Sequence, residues 1–297
     1  MTAFRAVPRG GETAGLRRPD DANLQSICNL EVSMSPETVS PISLSVFFPA
    51  CNDAESLRVL VPKAYRTLHG LSSDFEVIVV DDGSTDHTPD VLQELRGRFP
   101  SLQVVKHDRN RGYGAALRSG FQASSKPWVF YTEGDGQYDV AELGELVARL
   151  SDGVDAVNGY KLQRADSLHR RLLGRCYHGL VRFLLGVRLR DVDCDFRLLR
   201  RRVLDSVQLS FSSGAICAEL MTQIERAGYR IEEVPVHHYP RMSGQSQFFR
   251  VGPVASMLWD VVRLWVRLVL LRRGPRAARA PRVAEPAVRG TDPRVSD

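Results

Sequence analysis

The sequence predicts an α/β domain built on a largely parallel sheet with helices on both faces, and three observations predict it. Short apolar runs alternate with segments of helical spacing from Ile42 to about Tyr239. A length of 297 residues and a hydrophobic content of 43% allow a substantial core. Carboxylates also cluster where several apolar runs end, which is where sheets of this class bind ligands.

The elements follow in order. "ISLSVFFPA" (42–50) reads as a first strand, and "AESLRVLVPKAYRTLHG" (54–70) as a helix that Pro62 is expected to kink or split. "FEVIVVDD" (75–82), "LQVVKH" (102–107), "WVFYTE" (128–133), "DAVNGY" (155–160) and "RIEEVPVHHY" (230–239) read as further strands. Between them "TPDVLQELRGRF" (88–99), "GAALRSGFQASS" (114–125) and "VAELGELVARL" (140–150) carry helical spacing. Residues 1–40 are rich in Gly, Pro, Ser and charge without periodicity, and are expected to be a disordered arm. Residues 41–250 make the domain, 251–273 an amphipathic helix, and 274–297 an Arg- and Pro-rich tail expected to be unfolded.

Composition narrows the function classes. The five cysteines are scattered without C-x-x-C spacing, which suits neither a zinc site nor a disulfide framework and points to a reducing compartment. The first thirty residues hold no apolar h-region, so no secretory signal is expected. The net charge of +5 comes from arginine patches with no recognisable nucleic-acid module, so no nucleic-acid partner is expected.

The chemistry sits at three strand ends: "FFPACNDAE", "VVDDGSTD" and "YTEGDGQYD". Taken alone, "DDGSTD" reads equally well as a turn whose Asp86 or Thr88 caps the next helix. Three acidic strand ends in series favour a site. "NRGYGAAL" lacks the third glycine of a dinucleotide fingerprint, because Leu117 stands there. "EGDGQYD" fails as a calcium loop, since Tyr138 and Gly144 occupy the turn-glycine and bidentate-glutamate positions. An acid-x-acid site for Mg²⁺ or Mn²⁺ fits instead, because such hard ions commonly join one or two carboxylates to a diphosphate. Gly134 and Gly136 would let a diphosphate approach the backbone.

The ordered set "PACNDAE", "VVDDGSTD", "NRGYGAALRSG", "EGDGQYD", "DCDFRLLRR" and "RMSGQSQF" resembles inverting glycosyltransferase family 2 over residues 42–250, and most of all its dolichyl-phosphate mannose synthase and polyprenyl-phosphate glycosyltransferase group. The resemblance implies a GT-A fold, a nucleotide-sugar donor (GDP-mannose or a UDP-sugar), a polyprenyl phosphate acceptor and a metal-dependent hexosyl transfer. It implies that Pro49, Asn52, Asp53, Asp81, Asp82, Gly112, Glu133 and Asp135 bind the nucleotide sugar, and that Glu133, Asp135 and Gln137 hold the metal. It implies Arg164, Arg170, Arg197, Arg241 and Ser246 for the acceptor phosphate, with Asp135, Arg164 and Arg241 as the catalytic set. Three departures stand out: Glu133 replaces the usual first Asp, Cys51 the usual aromatic, and Gln247 a frequent lysine. Asp193 or Asp195 is a candidate to orient a sugar hydroxyl.

"VASMLWDVVRLWVRLVLLRR" (254–273) is interrupted by Asp260, Arg263 and Arg267, too costly for a spanning helix. With Ser256 these residues form one polar stripe, and the remainder, including Trp259 and Trp265, is apolar. The expectation is a helix lying in the membrane interface, with Arg272, Arg273, Arg276 and Arg279 drawn to anionic headgroups on the cytoplasmic face. Packing on the domain, across a homodimer or against an integral-membrane partner is the competing expectation. A soluble family 2 enzyme acting on a sugar, protein or small metabolite is the alternative function, and a non-catalytic nucleotide-sugar-binding protein a further one.

Overall fold

The chain enters its sheet at the centre. The structure is a computed structural model that describes residues 42–162, 168–241 and 251–271; the expected arm 1–40, the tail 274–297, Arg164 and Ser246 lie outside them. Strand β1 (Ser43–Ala50) pairs in parallel with β2 (Asp74–Asp81) on one side and β4 (Trp128–Thr132) on the other. Beyond β2 lies β3 (Leu102–Lys106), and beyond β4 follow β6 (Phe196–Arg200), β5 (Ala156–Lys161) and β7 (Ile231–Val236). Only β6 runs against its neighbours. The chain thus winds one way from β1 to β3 and the other way from β4 onward, which opens a crevice above the ends of β1 and β4.

Alternation along the central strands serves two cores. Leu44, Val46 and Phe48 of β1, with Val77 and Val79 of β2, face α1 (Ala54–Leu71), α2 (Thr88–Arg98) and α4 (Leu143–Val147). Phe47, Ile78, Val129 and Tyr131 face α3 (Tyr113–Ala123), α5 (Leu168–Leu185) and α7 (Ala215–Arg226). Period-2 burial on both faces explains why these strands read as continuous apolar runs. Helix α1 runs through Pro62 as one helix, so the proline does not split it. Its buried face of Leu57, Leu60, Val61, Ala64, Tyr65 and Leu68 outweighs the one backbone bond that a proline removes.

Strand β6 and helices α5, α6 (Arg201–Ser206) and α7 fall in a stretch where the sequence announced only a motif. In β6 the short apolar run carries an arginine, which hides its strand character. Arg197 was expected at the acceptor phosphate; the structure instead buries it completely. Its register neighbours are Tyr131 in β4 and Asn158 in β5, so the three side chains share one face of the sheet. The guanidinium donates to Asn158 Oδ1 at 2.7 Å, to Asp195 Oδ1 at 3.1 Å, to the Tyr131 hydroxyl and to the Val192 carbonyl. A buried cation with that many acceptors is a structural fixture.

The last helix, α8 (Val251–Trp265), continues as a π turn over Val266–Leu270 and packs on α7 and α5. Val261, Leu264 and Leu268 are buried against the domain. The polar stripe seen in the sequence runs along the edge of this seam. Asp260 accepts from Ser213 Oγ at 2.7 Å, and Arg267 donates to Ser210 Oγ at 2.7 Å and pairs with the buried Glu219 at 3.2 Å. An apolar row of Leu258, Trp259, Val262, Leu270 and Leu271 therefore faces outward, with Trp259 64% exposed. Packing on the domain and an exposed apolar face are both realised on one helix.

Arg197→Met is expected to destabilise the fold by about 3–5 kcal/mol, because Asp195 would remain buried without its cation. Denaturant unfolding measures this. A change within about 0.5 kcal/mol, as for an ordinary surface residue, would contradict the structural role.

Candidate active site

Three loops at the crevice are cross-braced. After β1, Asn52 adopts a left-handed φ of 60°, a conformation asparagine tolerates better than most residues. Its Oδ1 accepts from the backbone N–H groups of Thr85 at 2.8 Å and Asp86 at 3.2 Å, while its own N–H donates to Ser84 Oγ at 2.9 Å. Asn52 thereby ties the end of β1 to the "DDGSTD" loop. Asp82 secures the next loop: its Oδ1 pairs with His107 Nδ1 at 2.6 Å and accepts from Arg111 N, and its Oδ2 accepts from Gly112 N at 3.0 Å. His107 is in turn bonded to Ser119 Oγ at 2.9 Å. Asp81 lies below the cleft with 1% exposure; one oxygen accepts from Ser84 N, and Oδ2 has no partner among the described residues. Asp86 accepts from Thr88 N just ahead of α2, whose N-cap position is His87 rather than the expected Asp86 or Thr88.

The acidic loop after β4 crosses directly over β1. Gly134 N donates to Pro49 O at 2.9 Å, and a Cβ on Gly134 would meet that same oxygen at 2.9 Å, so the crossing demands glycine. Here the glycine serves protein packing, where the sequence suggested ligand approach. Asp135 has one oxygen held by Gln137 N at 2.9 Å, and its backbone carbonyl accepts from Ser56 Oγ. Gln137 N–H and side chain are both engaged: the amide Nε2 donates to Tyr239 O at 3.1 Å, and Tyr239 N returns a bond to Gln137 O at 2.8 Å. That clasp brings the segment after β7 alongside the acids. Two residues later Arg241 reaches Asp53 at 3.4 Å and Asp135 at 3.3 Å. Asp139, the third acid of the run, caps a turn through Ala141 N and pairs with Lys63 at 2.9 Å, outside the cleft.

The resulting cleft has a volume of about 580 Å³. Of the residues expected at the nucleotide, Pro49, Asn52, Asp53, Asp82, Gly112, Glu133 and Asp135 line it, and Arg241 stands opposite. Asp81, Gln137 and Arg197 do not line it. Arg164 and Ser246 are outside the described residues, and Arg170 belongs to the first turn of α5. The sequence missed the far wall, formed by Ser212, Ser213, Gly214 and Met257. That wall is positioned by Glu219, which accepts from Ser210 N and Phe211 N, by Asp260 on Ser213, and by Gly114 N on Ser212 O. "SFSSG" has no periodicity and no acid, so only the fold could reveal it.

Among the described residues that line it, the cleft sets Asp53, Asp82, Glu133 and Asp135 against Arg241. Burial pushes the Asp53 carboxyl up to about 6; Asp135 and Asp86 add to the rise, and the Cys51 N–H and Arg241 oppose it. Burial first, then Asp135 and Asp195, holds Glu133 well above the ordinary carboxylate range despite Arg241 and Lys161. Lys161 approaches from β5, donating to Asp193 O at 2.7 Å and lying 3.6 Å from Asp191. The Asp53, Glu133 and Asp135 carboxylates offer hard oxygens, and an added divalent cation would relieve their mutual repulsion. Among the described residues no three His, Cys, Asp or Glu side chains form a closed cage. A hard ion that keeps its waters and leans on one or two carboxylates and a diphosphate requires none.

Comparison with known proteins agrees with this architecture. A family model described as glycosyl transferase family 2 matches residues 45–208. The chain is 30% identical over 245 residues to glycosyltransferase AglD of Haloferax volcanii, covering 80% of this chain and 39% of that protein. It is 29% identical over 223 residues to an undecaprenyl-phosphate 4-deoxy-4-formamido-L-arabinose transferase of Salmonella choleraesuis, covering 74% and 66%. The chain thus spans between two fifths and two thirds of these curated relatives. A glucosyl-3-phosphoglycerate synthase of Mycobacterium tuberculosis, solved with phosphoglyceric acid, superposes with a TM-score of 0.58 at 20% identity over 76% of this chain and 79% of its own. The same enzyme solved with Mn²⁺, UDP and glucosyl-3-phosphoglycerate gives 0.57. These likenesses establish the shared fold.

The raised Asp53 carboxyl fixes a pH dependence. A folded-state value near 6 above an unfolded value near 3.8 means a penalty that is full above pH 6 and vanishes below about pH 4. Asp53→Asn is therefore expected to stabilise the metal-free protein at pH 7 by up to about 3 kcal/mol, and to lose that gain at pH 4. Thermal unfolding at the two pH values tests this; equal Tm increments at both would refute it.

Proposed function

The chain belongs to glycosyl transferase family 2, and on that premise we propose that it moves a hexose from a nucleotide sugar to the phosphate of a polyprenyl lipid. The observation that carries the reading is the cleft at the β1–β4 divergence, where Glu133, Asp135 and Asp53 face Arg241. The undecaprenyl-phosphate transferase named among the relatives supports a lipid phosphate acceptor.

In this reading the nucleoside end of a GDP- or UDP-sugar lies between Cys51, Asn52, Thr85 and Asn110, on loops braced by Asn52 and Asp82. Glu133 and Asp135 would hold a Mg²⁺ or Mn²⁺ ion, with Gln137 fixing their loop to Tyr239. When bound, that ion neutralises charge building up on the departing diphosphate. Arg241 supplies a planar, permanently charged guanidinium for phosphate oxygens. Arg164, Arg170 and Ser246 belong to the same proposed acceptor set. An acceptor phosphate is already close to doubly ionised at neutral pH, so the residues need to position it more than deprotonate it. Direct displacement inverts the anomeric carbon, with the sugar held near the Ser212–Gly214 wall.

The outer face of α8 supports peripheral membrane contact. A helix whose charged side chains run along the seam and whose Leu258, Trp259, Val262, Leu270 and Leu271 point outward suits an apolar surround. Arg263 sits beside this row at 62% exposure, placed to meet an anionic headgroup. Met257 on the same helix lines the cleft, so the site and the proposed membrane face share one element. Among the described residues no helix is long and apolar enough to cross a membrane.

Two outcomes are expected. Purified protein incubated with Mn²⁺ or Mg²⁺, polyprenyl phosphate and a panel of radiolabelled nucleotide sugars should carry label into the organic phase. Asp135→Ala should lower that transfer at least about 100-fold. Nucleotide binding without transfer from any donor would redirect the proposal to a water-soluble acceptor. In flotation with phosphatidylglycerol vesicles the protein should float, and the double variant Trp259→Glu, Leu271→Glu should remain in the soluble fraction. Flotation of both proteins alike would remove α8 from the membrane contact.

A further inference from the structure

We propose that Arg241, bridging Asp53 and Asp135, acts as a tethered cation that keeps the Asp135 oxygen the divalent ion would take, so that metal binding and release of Arg241 are one exchange. The inference rests on the metal-dependent reading above and deepens it. Its first support is position. The guanidinium Nη2 lies 3.4 Å from Asp53 Oδ1 and 3.3 Å from Asp135 Oδ2, bridging two acids from different loops. Asp135 Oδ1 is held by Gln137 N–H, and Oδ2 is the oxygen turned toward Arg241, in a cleft that both residues line.

The second support is how loosely Arg241 is held. Arg197 sends Nε, Nη1 and Nη2 each to an acceptor, as a permanent buried cation must. Arg241 makes only long contacts to its acids, and its Nε is buried without any acceptor among the described residues. An unsatisfied buried donor is costly, so this placement is one the side chain can leave without losing much. What holds it there is the charge of the acids.

The third support is the tether. The reciprocal Gln137–Tyr239 bonds fix the backbone two residues before Arg241 to the acidic loop itself. Arg241 is therefore confined within one side-chain length of the carboxylates, at high effective concentration. A divalent ion on Asp135 would repel the guanidinium at a few ångströms in a desolvated cleft, so the two cations cannot share that oxygen. Displaced from the acids, the guanidinium stays beside the ion and meets the anions that accompany it. The exchange would couple donor loading to the positioning of a phosphate-binding residue, and would hold the acids together before the ion arrives.

The test is direct Mn²⁺ binding, read by the loss of the free-ion electron paramagnetic resonance signal in the absence of substrates. Arg241→Gln is expected to bind Mn²⁺ about tenfold more tightly than the unmodified chain, about 1.4 kcal/mol, and Arg241→Lys, which keeps the charge, to stay near it. The same variant should lose thermal stability without metal and recover more of it on Mn²⁺ addition. Asp135→Asn in either background should abolish the site. Equal or weaker Mn²⁺ binding by Arg241→Gln, with binding intact in the unmodified chain, would overturn the exchange and leave the metal reading standing. No Mn²⁺ binding by any of the proteins would overturn the metal reading and the exchange together.

Discussion

Negative charge gathered in a poorly solvated cleft is the constraint on which the rest of this structure depends. Glu133, Asp135 and Asp53 converge because the loop after β4 crosses β1, and that crossing is secured by the Gly134–Pro49 backbone bond. Bringing carboxylates together out of water raises their pKa values, as Asp53 and Glu133 display. The fold answers with Arg241 from the segment after β7 and Lys161 from β5. Both partners come from far along the chain, so the charge balance of the cleft exists only once the sheet is complete.

The acids of the motifs divide into two kinds of work. Asp82 orients the Arg111–Gly112 backbone and a buried histidine, Asp86 accepts from Thr88 N ahead of α2, and Asp139 caps a turn and pairs with Lys63. These carboxylates are satisfied by the protein. Asp53 and Glu133 are held above the ordinary carboxylate range and line the cleft with Asp135, which marks these three as the ones suited to a cation and a phosphorylated ligand. Arg197 and Arg241 divide in the same way: the first is saturated with acceptors in the interior, the second faces the cleft with a donor to spare.

Helix α8 connects the two ends of the proposed reaction. It contributes Met257 to the cleft, braces the far wall through Asp260 and Ser213, and turns an apolar row away from the domain. Its apolar residues outnumber what one contact with α7 and α5 can bury, so a second apolar surface remains. A surface of that kind on a helix whose charges lie along its seam suits a membrane better than water.

The parallel core of the sheet, the order of its early strands and helices, and the loops that carry the acids are legible in the sequence. Those features are local: apolar periodicity, turn residues and strand-end carboxylates lie within a few positions of one another. The sequence also located the α8 polar stripe, since helical spacing is a property of the segment alone. Tertiary structure alone decided the antiparallel β6, the burial of Arg197 between Tyr131 and Asn158, and the Ser212–Gly214 wall. It decided which face of α8 turns inward and which acids converge on the cleft. Each of these depends on partners distant in sequence, and a side chain's charge or polarity does not reveal whether its complement will be protein, solvent or ligand.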